Sequence, residues 1–144
     1  MFTINLDDFT LMPIRPGLRV SFPFHSATGT SSTATVLFEL DPGAELPVHM
    51  DSAEELLVVM QGVAEARVGD EVGRIGKHEV ALVPPMAPHG LRNVGEEVLR
   101  VFGTFSSSTV VSTFEEGLEA NEPQLFVIGA PFPVALPLGE PVPA

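Results

Sequence analysis

The chain has 144 residues, no cysteine, and a net charge of −12 from seven basic and nineteen acidic residues. The missing thiols exclude a disulfide framework, a thiolate metal site and a cysteine nucleophile, and the acidity excludes phosphate backbones and anionic lipid as natural partners. With 44% hydrophobic residues, one domain of this length buries enough apolar surface to fold without a covalent or metal staple.

In chain order, the first predicted element is a weak strand at 18–24. A small, polar stretch at 26–33 reads as a loop. Apolar runs rich in Val, Leu, Ile, Thr and Phe then predict strands at 34–40, 56–60, 63–68, 80–83, 98–105 and 110–114. The breakers between them have definite tasks. Asp41-Pro42-Gly43 is a turn, and Gln61-Gly62 and Val68-Gly69-Asp70-Glu71 read as hairpin connections. Pro84-Pro85 cannot continue a central strand and forces an exit from the sheet. One helix is predicted, at 113–121, where glutamates are frequent. From Gly129 to Ala144, prolines at 131, 133, 137, 141 and 143 predict an extended, polyproline-like tail that alternates with apolar residues. Many short strands and almost no helical period predict an all-β sandwich or barrel. The expected organisation is one domain over 1–128 followed by the tail, 129–144.

The residues suited to chemistry cluster in His49-Met50-Asp51-Ser52-Ala53-Glu54-Glu55, with His89 behind the stiff turn Pro84-Pro85-Met86-Ala87-Pro88. His49 and Asp51 are two apart, so an extended chain projects them to one side. Glu55 reaches back if the chain folds over at Ser52-Ala53. Two imidazoles and a carboxylate form the facial set of non-haem metal sites, with positions left open for substrate or oxygen. Asp51 is expected as a fourth ligand or as a general base. Without sulfur, the donors His49, Asp51, Glu55 and His89 favour Fe(II), Mn(II) or Ni(II), and also accommodate Zn(II).

These same residues carry a family resemblance. Gly43 to Gly62 reads G-x5-H-x-D-x3-E-x6-G, and Pro84 to Asn93 reads P-x-M-x2-H-x3-N. The two segments resemble the paired motifs of the cupin superfamily, in order and at a similar distance apart. The resemblance implies a double-stranded β-helix, or jelly-roll barrel, with a metal in its mouth. By position, it implies His49, Glu55 and His89 as ligands, Gly43 and Gly62 as turn glycines and Asn93 as the closing residue of the second motif. Three positions depart from the pattern. Asp51 stands where the family most often has a second histidine. Met86 replaces a glycine, which places a thioether near His89, and His78-Glu79 replaces Gly-Asp.

The remaining candidates are weaker. His25 and His78 read as surface or packing residues, Glu54 as a surface acid, and Arg92 and Arg100 as outward arginines paired with glutamates. Phe38, Phe102 and Phe105 are the aromatic residues expected to wall a pocket. The functional expectation is a small metal-binding cupin acting on a small organic molecule by dioxygenase-like oxidation. The alternatives are a metal-dependent isomerase or lyase, and a non-catalytic small-molecule-binding or sensor domain. The resemblance and the apolar tail together predict a homodimer. Without a signal-peptide pattern at the N-terminus or an apolar run long enough to span a bilayer, a cytoplasmic location is expected.

Overall fold

The computed structural model describes residues 1–115, 124–129 and 134–137. The strands are β1 (Met12–Arg15), β2 (Leu18–Ser21), β3 (Ala34–Leu40), β4 (Glu45–Asp51), β5 (Glu55–Gln61), β6 (Val63–Val68), β7 (Glu71–Gly76), β8 (Val80–Val83), β9 (His89–Asn93), β10 (Leu99–Phe105), β11 (Val110–Phe114), β12 (Gln124–Ile128) and β13 (Val134–Pro137). They form two antiparallel sheets, ordered β1-β2-β3-β10-β5-β8 and β13-β12-β11-β4-β9-β6-β7. This is the jelly-roll arrangement. The described residues contain no helix long and apolar enough to cross a membrane.

Period-two alternation determines which residues reach the core. In β3, Ala34, Val36, Phe38 and Leu40 are buried, and in β10 Leu99, Val101 and Phe105 are buried. The two strands pair in register from Ala34↔Phe105 to Leu40↔Leu99, so these side chains share one face. Leu57, Val59, Ala64 and Leu91 join them from both sheets in one core cluster. Each such Leu or Val contributes roughly 1.5–3 kcal/mol through burial.

The expected strands at 34–40, 63–68, 80–83 and 110–114 coincide with β3, β6, β8 and β11, and those at 56–60 and 98–105 with β5 and β10. The weak strand at 18–24 is β2, which ends at Ser21. The helix expected at 113–121 is corrected at its start: Thr113 and Phe114 are strand residues, paired with Leu125 and Gln124 of β12. The rest of that span, 116–121, lies outside the described residues. Of the tail, Val134–Pro137 pairs with β12 as a strand.

Gly43 and Gly62 take φ of +81° and +88°, as turn glycines should. Asn93 is buried and fully bonded. Its Nδ2 donates to the Leu40 and Glu97 carbonyls at 2.8 Å each, and its Oδ1 accepts from the Gly95 amide at 2.9 Å. This ties the end of the second motif to the end of β3. His25 is a packing residue that caps a short 3₁₀ turn. Its Nδ1 accepts from the Ala27 amide at 3.2 Å, and burial pushes the imidazole pKa down.

The strand that carries the first motif is bent at one point. Leu46 pairs with Leu91 and His49 with His89, so the register shifts between them: three steps along β4 match two along β9. This is a β-bulge at Pro47-Val48. Proline is tolerated there because a bulge relieves it of a ladder bond. The close approach of the strands requires Gly90, where a Cβ would lie 2.9 Å from the Leu46 carbonyl oxygen.

Candidate metal centre

The bulge controls the direction of the site. On a regular strand Leu46, Val48 and Met50 would share a face. With one residue inserted, Leu46, His49 and Asp51 all face the cavity between the sheets, and Val48 points out, 45% exposed. Cross-strand pairing then builds two rows on the inner face. His49 lies opposite His89 on one side and Phe114 on the other, and Asp51 lies opposite Ser112. The facing sheet adds Glu55 from the start of β5. Its niche exists because Gly103 has no side chain: a Cβ there would lie 2.6 Å from Glu55 Oε2.

All four expected site residues are therefore together and buried. His49 is 7% exposed, Asp51 2%, Glu55 3% and His89 1%. Each imidazole donates Nδ1–H to a main-chain carbonyl, His49 to Pro47 and His89 to Ala87, at 2.9 Å. That bond fixes the tautomer and turns the Nε2 lone pair into the cavity, as metal-binding histidines require. Asp51 Oδ1 accepts from the Ser112 hydroxyl at 2.5 Å, which leaves Oδ2 to face the histidines. Oδ2 lies 3.0 Å from His89 Nε2 and 3.6 Å from His49 Nε2. Phe114 stacks on His49 with ring centroids 4.4 Å apart, and the two imidazoles are 4.1 Å apart.

The fit to a cation rests on two orphaned atoms. Asp51 Oδ2 and His89 Nε2 are both buried, and neither has a hydrogen-bond partner despite their closeness. Buried polar atoms are rarely left so, because the loss of water is costly. Ligand atoms of His49, Asp51 and His89 all lie within 4.8 Å of one another, so one ion among them satisfies both orphans. Glu55 stands a step outside. Its Oε1 is 3.4 Å from His89 Nε2, so it approaches His89 rather than His49.

Charge balance within the cluster supports the same grouping. Burial pushes the Asp51 carboxyl up, but His49 and His89 outweigh it and hold the group well below the usual carboxylate range. Burial pushes the His89 imidazolium down, but Asp51 and Glu55 raise its pKa to about 10. Burial raises Glu55, His89 opposes this, and the Asp51 charge adds to the rise. The cluster attracts positive charge, whether a proton on His89 or a cation.

Other expectations resolve away from the site. Arg92 pairs with Glu65 at 3.4 Å, and Arg100 with Asp7 at 2.6 Å and Glu39 at 3.4 Å, so neither clamps a ligand in the cavity. Phe38 and Phe105 line it and Phe102 does not. Met86 does not crowd His89: it is 53% exposed and lies outside the lining. Ser112 and Phe114 are the functional residues that sequence reasoning missed. Their signal was the period-two register of the 110–114 strand, which puts a serine between buried Val110 and Phe114.

An antiparallel double sheet with two histidines and two carboxylates inside it defines a jelly-roll protein with a candidate metal site. Residues 36–105 match the family model described as "Cupin domain", and this match supports the cupin superfamily. Solved structures agree. The cupin domain of Cnp3 from Schizosaccharomyces pombe matches at 24% identity and TM-score 0.64, covering 73% of each chain. Oxalate decarboxylase from Lactobacillus farciminis matches at 20% identity and TM-score 0.72, covering 80% of this chain and 36% of that one. The polyketide cyclase RemF from Streptomyces resistomycificus matches at 18% identity and TM-score 0.63, covering 73% and 78%. At these identities the likeness is one of fold. No protein of curated function matches the sequence.

Proposed function

We propose that this cupin holds one divalent cation between His49 Nε2, His89 Nε2 and Asp51 Oδ2, and acts on a small organic molecule by dioxygenase-like oxidation. The observation that carries the reading is the buried grouping of His49, Asp51 and His89, whose ligand atoms lie within 4.8 Å of one another, with Asp51 Oδ2 and His89 Nε2 left without a hydrogen-bond partner. A cation bound there would supply Lewis acidity and open positions for substrate and O2. The oxygen and nitrogen donors favour Fe(II), Mn(II) or Ni(II), and Zn(II) fits as well.

The chain's own groups then divide the work. His49 and His89 are held in orientation by the Pro47 and Ala87 carbonyls. Ser112 fixes which oxygen Asp51 presents, so Asp51 is assigned as a ligand rather than a base. Glu55, whose carboxyl is pushed toward its neutral form by burial, is the group placed to hold and return a proton at Oε1. Apolar walls keep bulk water from the cluster. The fold hosts several reactions, and an oxalate decarboxylase and a polyketide cyclase stand among the structural neighbours. Isomerase or lyase chemistry is the second reading.

Elemental analysis of purified protein is the test. About one cation per chain is expected, and none in His49→Ala or His89→Ala. Protein that takes up no Fe(II), Mn(II), Ni(II) or Zn(II), or variants that keep the metal, would remove the reading. A stoichiometric metal without substrate-dependent O2 consumption would favour the non-oxidative chemistry.

A further inference from the structure

The cavity that contains the cluster is narrow, with room between its walls for a few water-sized groups, and it opens at a mouth. Its walls are unusual in what they omit. Of the eighteen described lining residues, thirteen are apolar. The other five are His49, Asp51, Glu55 and His89 themselves, and Ser112, whose hydroxyl is already committed to Asp51. No arginine, lysine, asparagine, glutamine or tyrosine is among them. The nearby arginines are engaged elsewhere: Arg19 with Glu39 and Asp41, Arg92 with Glu65 and Arg100 with Asp7 and Glu39.

Polar recognition is therefore concentrated at one end. Away from the cluster, a bound molecule meets Phe38 and Phe105 in the interior and the half-buried rings of Phe22 and Phe126 toward solvent, the latter two packed with centroids 5.4 Å apart. A second charged or hydroxyl group on the ligand would lose its water and find no partner along these walls, which is strongly unfavourable. A second carboxylate could not turn back to the cluster without adding negative charge beside Asp51 and Glu55. Each buried methylene, in contrast, adds favourable transfer energy.

We propose that the ligand of this site is a small molecule with a single oxygen-donor head and an otherwise hydrocarbon body. The head meets the cluster and the body lies among the phenylalanines, and groups that are polar at the far end are rejected. This rests on the proposed cation for the head and on the cavity walls alone for the body.

The test is calorimetric titration of metal-loaded, full-length protein with acetate, butanoate, hexanoate and hexanedioate, with metal content measured in parallel. Affinity is expected to rise about fourfold per added methylene. Hexanedioate, which differs from hexanoate only by its distal carboxylate, is expected to bind at least a hundredfold more weakly. Phe126→Ala, at the half-exposed end, is expected to weaken hexanoate about tenfold and leave acetate unchanged. A flat series, or a diacid that binds as tightly as the monoacid, overturns the assignment. A steep series that persists after the metal is removed upholds the apolar body and takes the cation out of the head site. A stoichiometric metal with a flat series does the reverse.

Discussion

Met86 and His78 are the two residues other than glycine with positive φ, at +61° and +72°, among those described. Both stand where the cupin pattern usually has glycine, and the backbone explains that preference. The left-handed conformation costs a side-chain-bearing residue roughly 1–2 kcal/mol. Neither turn is free to relax, because Met86 N–H donates to the Asp51 carbonyl at 2.7 Å and His78 N–H to the Val59 carbonyl at 2.8 Å. Met86→Gly and His78→Gly should each raise stability by roughly 0.5–1 kcal/mol, the relief less the entropy glycine brings to the unfolded chain. Urea denaturation measures it. Unchanged or reduced stability would mean that the left-handed turns carry no penalty here. The four site residues were legible because metal donors at family spacing are specific. The side chains that hold them were not, since a serine and a phenylalanine in an apolar strand look like ordinary packing until the register is known.

At the scale of elements, the bulge in β4 decides which side chains face the cavity. Without the extra residue at Pro47-Val48, the period of two would turn His49 and Asp51 to the outer face. β4 carries a proline and three polar residues, Glu45, His49 and Asp51, which read as loop edge rather than strand, so it is not among the predicted strands. β9 escaped for a similar reason: His89, Gly90, Arg92 and Asn93 break the alternation. β7 includes two glycines. In β4 and β9, then, the local rules fail because the strands carry the site. Gly90 is the point at which the bulge is most exposed to challenge. Gly90→Ala forces a methyl against the Leu46 carbonyl oxygen and the Val48 amide. It should cost about 1–3 kcal/mol and weaken metal binding, read by calorimetry of the purified variant. A variant of wild-type stability and affinity would show that the close approach is not needed.

For the whole molecule, alternation along short strands was sufficient to predict an all-β sandwich or barrel, since a two-layer β architecture is the way to bury one face of every strand, and the resemblance of the two motifs to cupins narrowed it to a jelly roll. Subunit number does not follow from such a pattern. We propose a homodimer through the outer face of the first sheet at its β8 edge. Leu56 and Leu82 are cross-strand partners there, as are Val58 and Val80. Leu56, Val80 and Leu82 are 45%, 57% and 56% exposed, a contiguous apolar strip beside a strand edge that is unpaired among the described residues. Light scattering should give twice the 15.3 kDa chain mass, and Leu82→Lys should return it to the mass of one chain. A monomer at all concentrations would dismiss the interface.

The cavity draws its donors and its walls from the chain unequally. His49, Asp51, Glu55 and His89 fall within residues 36–105, the portion that matches the family. Ile14, Leu18, Val20 and Phe22, and likewise Phe126 and Ile128, border the same space from outside that portion. The four candidate donors thus come from the matched portion alone, whereas the apolar lining is shared: Val36, Phe38, Leu46, Leu57, Leu91 and Phe105 lie inside that portion, and the remainder is supplied by the two flanks. Likeness to cupins consequently says little about the part of the wall that the flanks build, and exchanging those segments would reshape that part with the donor atoms untouched.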